Sequence, residues 1–194
     1  MRLRAMICRR KTCLGLLLCV VALLFLPIFS QAQNTATQTL AASIDPLGAI
    51  FTVSTPLPLT KTSATFNAFT GAMTLSYRAR SSQSTGQATI TVKATADFAP
   101  TGGPSIANPP SAGDTFTYTC SGATLGIACS GMQTVSTTSA TNVVSIGASA
   151  CTGGGAPCSA ANPNTVNVSF TLTDDPKYKT GSYSATLTWT ISAS

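Results

Sequence analysis

The sequence predicts an all-β protein: an antiparallel β-sandwich of immunoglobulin-like or pilin-like type that follows an N-terminal signal helix. Several stretches alternate strictly between apolar residues and Ser or Thr, which places one set of side chains on a buried face. No stretch after residue 32 keeps helical spacing, and Gly, Pro, Asn and Asp separate the alternating stretches. Strands with one polar face do not suit a parallel sheet that is covered on both sides, so we expect antiparallel pairing.

The first 32 residues have the three parts of a secretory signal peptide. Basic residues precede an apolar run at 14–29, and Ser30-Gln31-Ala32 follows it. The run is shorter than the roughly 20 residues that span a bilayer. We therefore expect cleavage after Ala32, one domain over 33–194, and a secreted, extracellular or cell-surface location, with the periplasm as a further option. The alternative is an uncleaved signal, which would be the only contact with a membrane.

The basic charge of the chain belongs mostly to this signal. The chain has 11 basic and 5 acidic side chains, a net charge of +6. The five basic residues Arg2, Arg4, Arg9, Arg10 and Lys11 lie before residue 14, so the remainder is nearly neutral. We therefore expect no nucleic-acid partner.

Four cysteines remain after the signal, at Cys120, Cys129, Cys151 and Cys158. An even number of cysteines in an exported chain predicts disulfide bonds. Of the three possible connectivities, the short Gly-rich loops favour Cys120–Cys129 and Cys151–Cys158. A metal site is the competing interpretation, but the chain has no His and no Cys-x-x-Cys pair.

The clearest strand predictions cover 73–79, 90–98, 116–120, 166–172 and 183–191, and weaker ones cover 38–44, 49–54, 65–69, 132–136 and 143–146. Two long loops, 99–113 and 150–164, are rich in Pro and Gly. Such loops either cross between sheets or bind a ligand. In the last strand, alternation with Ser and Thr predicts four core anchors on one buried face: Tyr183, Leu187, Trp189 and Ile191.

The catalytic side chains of common enzymes are scarce. The sequence has no His and no Glu, which excludes Ser-His-Asp and Cys-His catalysis. Asp174 and Asp175 are the only adjacent acidic pair, and neighbouring side chains on a strand point in opposite directions. We interpret the pair as a turn, with a weak calcium site as the alternative. The sequence thus predicts no catalytic, cofactor-binding or metal residues, no cofactor and no enzymatic activity.

The stretch from Thr180 to Ser192, "TGSYSATLTWTIS", resembles the C-terminal strand of WxL-domain proteins. Gly181, Tyr183, the run 185–188 and Trp189 follow that family's form, and Ile191 stands where Leu is expected. The resemblance implies a secreted β-protein that attaches non-covalently to a cell wall. The same ending is similar to spore-coat-U-like and pilin-type subunits, which implies assembly by donation of an N-terminal strand.

Two functional hypotheses follow. The first is an exported, non-enzymatic β-sandwich with a structural or adhesive role at the cell surface. The alternative is a fimbrial or pilin-type subunit that is assembled by strand exchange. The partner is unknown; a cell-wall or surface polymer fits the first hypothesis, and like subunits fit the second. An enzyme or small-ligand carrier has the least support, because His and Glu are absent.

Overall fold

The computed structural model describes residues 39–53, 56–61, 63, 65–80, 87–148, 150–151, 158 and 163–194. The predicted signal peptide and its cleavage site lie outside these residues. Residues Ser43–Ser194 form one compact unit, and all of the strands lie within it. Within the ranges described, no helix is long and apolar enough to cross a membrane.

The described part of the chain forms nine strands: β1 Leu47–Thr52, β2 Phe69–Arg80, β3 Ala88–Ala99, β4 Phe116–Ser121, β5 Ile127–Ala128, β6 Gln133–Thr134, β7 Thr141–Ile146, β8 Asn164–Leu172 and β9 Ser184–Ala193. The five-stranded sheet has the order β1-β2-β8-β4-β6, and the four-stranded sheet has the order β5-β7-β3-β9. Every pair is antiparallel. The predicted all-β sandwich is confirmed.

The core lies between the two sheets and is built by the alternation that the sequence shows. Along β8 every second residue from Asn164 to Leu172 is buried, while Asn167, Ser169 and Thr171 face water. The largest fully buried side chains come from both sheets: Tyr77, Tyr118, Phe170, Leu75, Ile90, Val92, Val143, Val144, Val166 and Val168. Burial of this apolar set is the main stabilising contribution to the sandwich.

The two buried tyrosines retain hydrogen-bond partners for their hydroxyl groups, as buried polar groups must. The Tyr77 hydroxyl donates to the carbonyl of Leu125. The Tyr118 hydroxyl donates to the carbonyl of Asn142 at 2.7 Å and lies 2.9 Å from the hydroxyl of Thr141. Tyr118 is on β4 and Asn142 is on β7, so the hydrogen bond between them connects one sheet to the other.

The weaker strand predictions have mixed outcomes. The predicted strands at 49–54 and 143–146 correspond to β1 and β7, whereas 132–136 shrinks to the two residues of β6. The prediction at 38–44 is wrong over its described part, since residues 39–44 are irregular and exposed. An alternating pattern indicates that a segment is able to form a strand. It does not indicate whether the fold places another strand beside that segment for it to pair with.

Both cysteine pairs have the connectivity that the sequence favours. The sulfur atoms of Cys120 and Cys129 are 2.07 Å apart, and those of Cys151 and Cys158 are 2.17 Å apart. Cys120 lies in β4, while Cys129 directly follows β5 and donates its N–H to the Val143 carbonyl at 2.9 Å. The first disulfide therefore joins the two sheets covalently.

Candidate binding cleft

Strand β9 forms one edge of the four-stranded sheet. It pairs with β3, and on its other side no strand among the described residues pairs with it. It is ten residues long and contains neither a charged residue nor a proline. Natural edge strands usually carry charges, prolines or bulges that prevent further pairing. The ladder between β3 and β9 is irregular near the start of β9, but a long edge without charge or proline still marks a surface that is available to a partner.

An apolar cleft of about 970 Å³ lies between β9 and the start of β2. In the register of the five-stranded sheet, β1 pairs only with the second half of β2, from Ser76 to Arg80. β1 meets β9 at Gly48, where an added Cβ would lie 2.8 Å from Cγ1 of Ile191. Residues 56–59 line the cleft beside the first half of β2, which β1 leaves uncovered.

Large apolar side chains dominate the floor and walls of this cleft. Six of them are Leu57, Phe66, Phe69, Phe98, Leu187 and Trp189. Phe66 is 66% exposed, which is unusual for a phenylalanine beside an apolar cleft. Ser182, Ser184 and Thr186 add hydroxyl groups along the β9 side. Apolar walls with a few hydroxyl groups are typical of sites that bind a ligand surface.

The predicted core anchors on the last strand are half-buried, so the expected full enclosure of Trp189 is not what the structure shows. Leu187, Trp189 and Ile191 pack against the core from the edge. The Trp189 ring meets Phe170 edge to face, with the ring centroids 6.3 Å apart. The physical reason is the position of β9, because an edge strand has a neighbour on one side only.

Tyr183 has a different role from the other three predicted anchors. It precedes β9, and its ring lies directly against Gly103, where any added side chain would collide with it. Its hydroxyl donates to the carbonyl of Lys179 at 2.7 Å. Tyr183 therefore connects the two loops that border the cleft, 100–115 and 173–183, which we call the rim loops.

Asp97 holds the first rim loop in shape. Its carboxylate accepts hydrogen bonds from the backbone N–H of Phe98, Ile106 and Ala107 at 2.8, 2.6 and 3.3 Å, and from the Ser105 hydroxyl at 2.7 Å. Burial opposes ionisation of this carboxyl group. The hydrogen bonds together outweigh burial and lower the pKa of Asp97. The Pro- and Gly-rich loop is thus ordered by one acidic side chain.

Direct contacts tie the second rim loop to its surroundings. The Lys179 N–H donates to the Gly102 carbonyl at 2.8 Å, and Lys177 Nζ donates to the Pro110 carbonyl at 3.3 Å. Lys61 Nζ lies 2.7 Å from Oδ2 of Asp174. The Tyr178 N–H donates to the Asp175 carbonyl at 2.9 Å, so Asp174-Asp175 begins a turn, as its sequence indicates.

These contacts limit the chemistry that the site offers. The charged groups at the rim serve as loop contacts, while the cleft itself presents rings, methyl groups and hydroxyl groups. No group of three or more His, Cys, Asp or Glu residues within the described ranges is placed to hold a metal ion. The arrangement is suited to binding an apolar or ring-bearing surface and to adding a strand along β9.

Comparison with known proteins adds no relative: no protein-family profile and no curated protein matches the chain. The resemblance of the last strand to WxL-domain and spore-coat-U-like proteins therefore stays a prediction. Asp97 has a structural role that the sequence did not indicate. Its partners Ser105, Ile106 and Ala107 lie in a loop, and no periodic pattern connects an acidic residue to a loop that folds over it.

Proposed function

We propose that the protein is an exported, non-enzymatic β-sandwich with a structural or adhesive role at the cell surface. The observation that carries the proposal is the apolar cleft beside β9, which leaves large rings such as Phe66 and Trp189 only partly covered. Exposed apolar surface of this kind marks interaction sites in soluble domains. Export is supported by the signal-like segment at 1–32 and by the two disulfide bonds.

The side chains available favour binding over catalysis. A chain without His and Glu lacks the usual general bases. Asp174 is paired with Lys61, and Asp97 is occupied by its own loop. The partner that fits best is a surface polymer with ring faces and hydroxyl groups. Its rings would stack on aromatic side chains, and Ser184 and Thr186 would hydrogen-bond its hydroxyl groups.

Phe66→Ser should reduce attachment to the cell surface without loss of stability. Phe66 lines the cleft and is mostly exposed, so its removal takes away contact area and little core packing. The measurement is the fraction of folded protein that co-sediments with isolated cell envelopes. Met132→Ser is the matched control, because Met132 is 71% exposed and lies outside the cleft lining. Equal sedimentation of Phe66→Ser and wild type would refute the cleft as the adhesive site.

The free edge of β9 favours a second candidate, a subunit that assembles by strand exchange. Before β1, residues 39–46 are irregular, with Leu40 89% exposed and Ile44 70% exposed. Leu40, Ala42 and Ile44 would share one face if this segment extended along β9 of another copy. Backbone hydrogen bonds would supply affinity, and the cleft would receive the apolar side chains.

The double variant Leu40→Asp/Ile44→Asp tests this candidate. Strand exchange predicts that wild type forms a ladder of oligomers in gel filtration and that the variant is monomeric. Ile127→Asp is the control, because Ile127 is 76% exposed and lies on β5, away from β9. A wild type that stays monomeric at high concentration, with undiminished attachment to envelopes, would eliminate strand exchange and leave the adhesive role standing.

A further inference from the structure

The edge strand β9 and the residue after it have the same chemical pattern in both directions. From Ser184 to Ser194 the chain reads "SATLTWTISAS", with Trp189 at the centre. On the two sides of Trp189, Leu187 is matched by Ile191, Ala by Ala, and every Ser or Thr by another Ser or Thr. A strand with this symmetry offers matching side chains to a copy of itself that runs in the opposite direction.

The backbone of β9 directs alternate residues toward its open edge. At the end of the ladder with β3, the Ser194 N–H donates to the Gln87 carbonyl at 2.9 Å. Hydrogen-bonded residues alternate along an antiparallel ladder, so the even-numbered residues in the regular part, 187–193, bond to β3. Leu187 and Trp189 therefore direct their N–H and C=O groups to the open side, where no strand among the described residues pairs with β9.

The apolar side chains of β9 are only half-covered. Leu187, Trp189 and Ile191 pack against the core from one side, and Thr188 and Thr190 between them are exposed. No residue of β9 carries a charge, so two copies of the strand meet without direct repulsion. The edge thus offers backbone groups, half-covered apolar side chains and no charge to a partner.

We propose that β9 pairs with β9 of a second copy of this chain, in an antiparallel ladder with a two-fold axis at Trp189. The two Trp189 residues then lie opposite each other and exchange backbone hydrogen bonds, for which their N–H and C=O groups are already oriented. Leu187 of each copy lies opposite Ile191 of the other. The pairing joins the two four-stranded sheets into one continuous sheet.

The backbone and the side chains together select this register. A shift by one residue pairs odd-numbered residues with even-numbered ones, whose backbone groups face β3, and so forms no ladder. A two-fold axis at Leu187 places Trp189 opposite Ala185 and carries Ile191 beyond Ser184, the first residue of β9. The axis at Trp189 uses the whole strand and pairs side chains of similar size.

The two ends of β9 also complement each other. Ile191 lies against β1 at Gly48, where an added Cβ would be 2.8 Å from its Cγ1. Leu187 lines the open cleft instead. The two-fold axis places the covered end of one strand beside the open end of the other, so each copy supplies cover where its partner lacks it.

The dimer is independent of the adhesive role, because self-association is measured without a polymer. It also differs from assembly by strand exchange, in which residues 39–46 of one copy would extend along β9 of the next. A two-fold ladder uses both β9 edges and closes at two copies, whereas strand exchange continues into a series of oligomers.

Sedimentation velocity of the whole chain over a dilution series tests the proposal. We expect a reversible equilibrium between monomer and dimer, with no larger species. As concentration rises, amide hydrogen exchange at Leu187, Trp189 and Ile191 should slow, because these N–H groups become hydrogen-bonded across the axis. Exchange along β8, which already has a neighbour on each side, should stay constant.

Two variants of opposite charge locate the interface. Thr188 and Thr190 are exposed, and the proposed ladder places each opposite the other in the second copy. Thr188→Lys/Thr190→Lys should raise the dissociation constant by ~100-fold, because like charges opposite each other repel. An equimolar mixture with Thr188→Glu/Thr190→Glu should form a heterodimer. Thr119→Lys/Thr171→Lys is the matched control and should still dimerise, because both residues are exposed on the other sheet.

Circular dichroism verifies that each variant is folded, and the exchange data on the wild type decide the matter if the lysine variant does not fold. A wild type that stays monomeric at the highest attainable concentration overturns the proposal. So does a dimer that the lysine variant retains, or one that the mixture of opposite charges does not restore. Association that Leu40→Asp/Ile44→Asp abolishes overturns it in favour of strand exchange.

Discussion

Phe170→Ala should lower the free energy of unfolding by about 3–5 kcal/mol, as large aromatic truncations in cores do. Phe170 is 1% exposed and lies on β8, which pairs with β2 and β4. Its ring stacks on Phe116 at 5.3 Å and lies 5.9 Å from Tyr118. It also meets Trp189 of the opposite sheet, so the truncation removes packing from both sheets.

Urea denaturation followed by circular dichroism measures this effect. Thr171→Ala is the matched control on the same strand, since the Thr171 side chain faces water. The loss of unfolding free energy caused by Trp189→Ala should lie between the losses for Phe170→Ala and Thr171→Ala, because the Trp189 ring is half-buried at the edge of its sheet. A Trp189→Ala loss that exceeds the Phe170→Ala loss would contradict the edge position of β9.

Removal of the Cys120–Cys129 disulfide by the double change to alanine should cost about 2–5 kcal/mol. The bond joins β4 of one sheet to the end of β5 in the other, and Cys129 is 6% exposed. Its loss therefore increases the entropy of the unfolded chain and also leaves a gap in the core. Thermal melting without reductant reports the difference.

The Cys151–Cys158 pair provides an internal comparison. The sequence separations of the two disulfides are 9 and 7, so loop-closure entropy predicts nearly equal contributions. Cys151 is exposed, whereas Cys129 is in the core. The Cys151→Ala/Cys158→Ala variant should thus lose less stability than the Cys120→Ala/Cys129→Ala variant. Equal losses would show that packing of Cys129 contributes nothing beyond the covalent link.

Alternation in the sequence predicts which face of a strand is buried, and it does not predict the neighbours of that strand. The stretch around Val166, Val168 and Phe170 and the stretch around Leu187 and Trp189 have the same period of two. The first became the central strand β8 and the second became the edge strand β9. Pairing depends on contacts between distant parts of the chain, which no local period records.

The cleft and its rim loops could not be predicted from the sequence, because they too depend on contacts between distant parts of the chain. Of the two long Pro- and Gly-rich loops that the sequence indicates as crossovers or binding loops, 99–113 borders the cleft, and most of 150–164 lies outside the described residues. The ion pair between Lys61 and Asp174 joins residues that are far apart in the chain. Only folding brings together the segment before β2 and the turn before β9. The cysteine pairing was easier to predict, because short loops restrict which sulfur atoms can meet.

Residue-resolved amide hydrogen exchange of the dilute protein is the most direct test of the central claim, that β9 presents a free edge beside the cleft. In an antiparallel ladder, alternate N–H groups of an edge strand point away from the neighbouring strand. We predict that alternate amides of β9 exchange quickly, while β8, which has a neighbour on each side, is protected along its length. Uniform protection along β9 in the monomer would show that another segment already pairs with this edge, and would contradict the account.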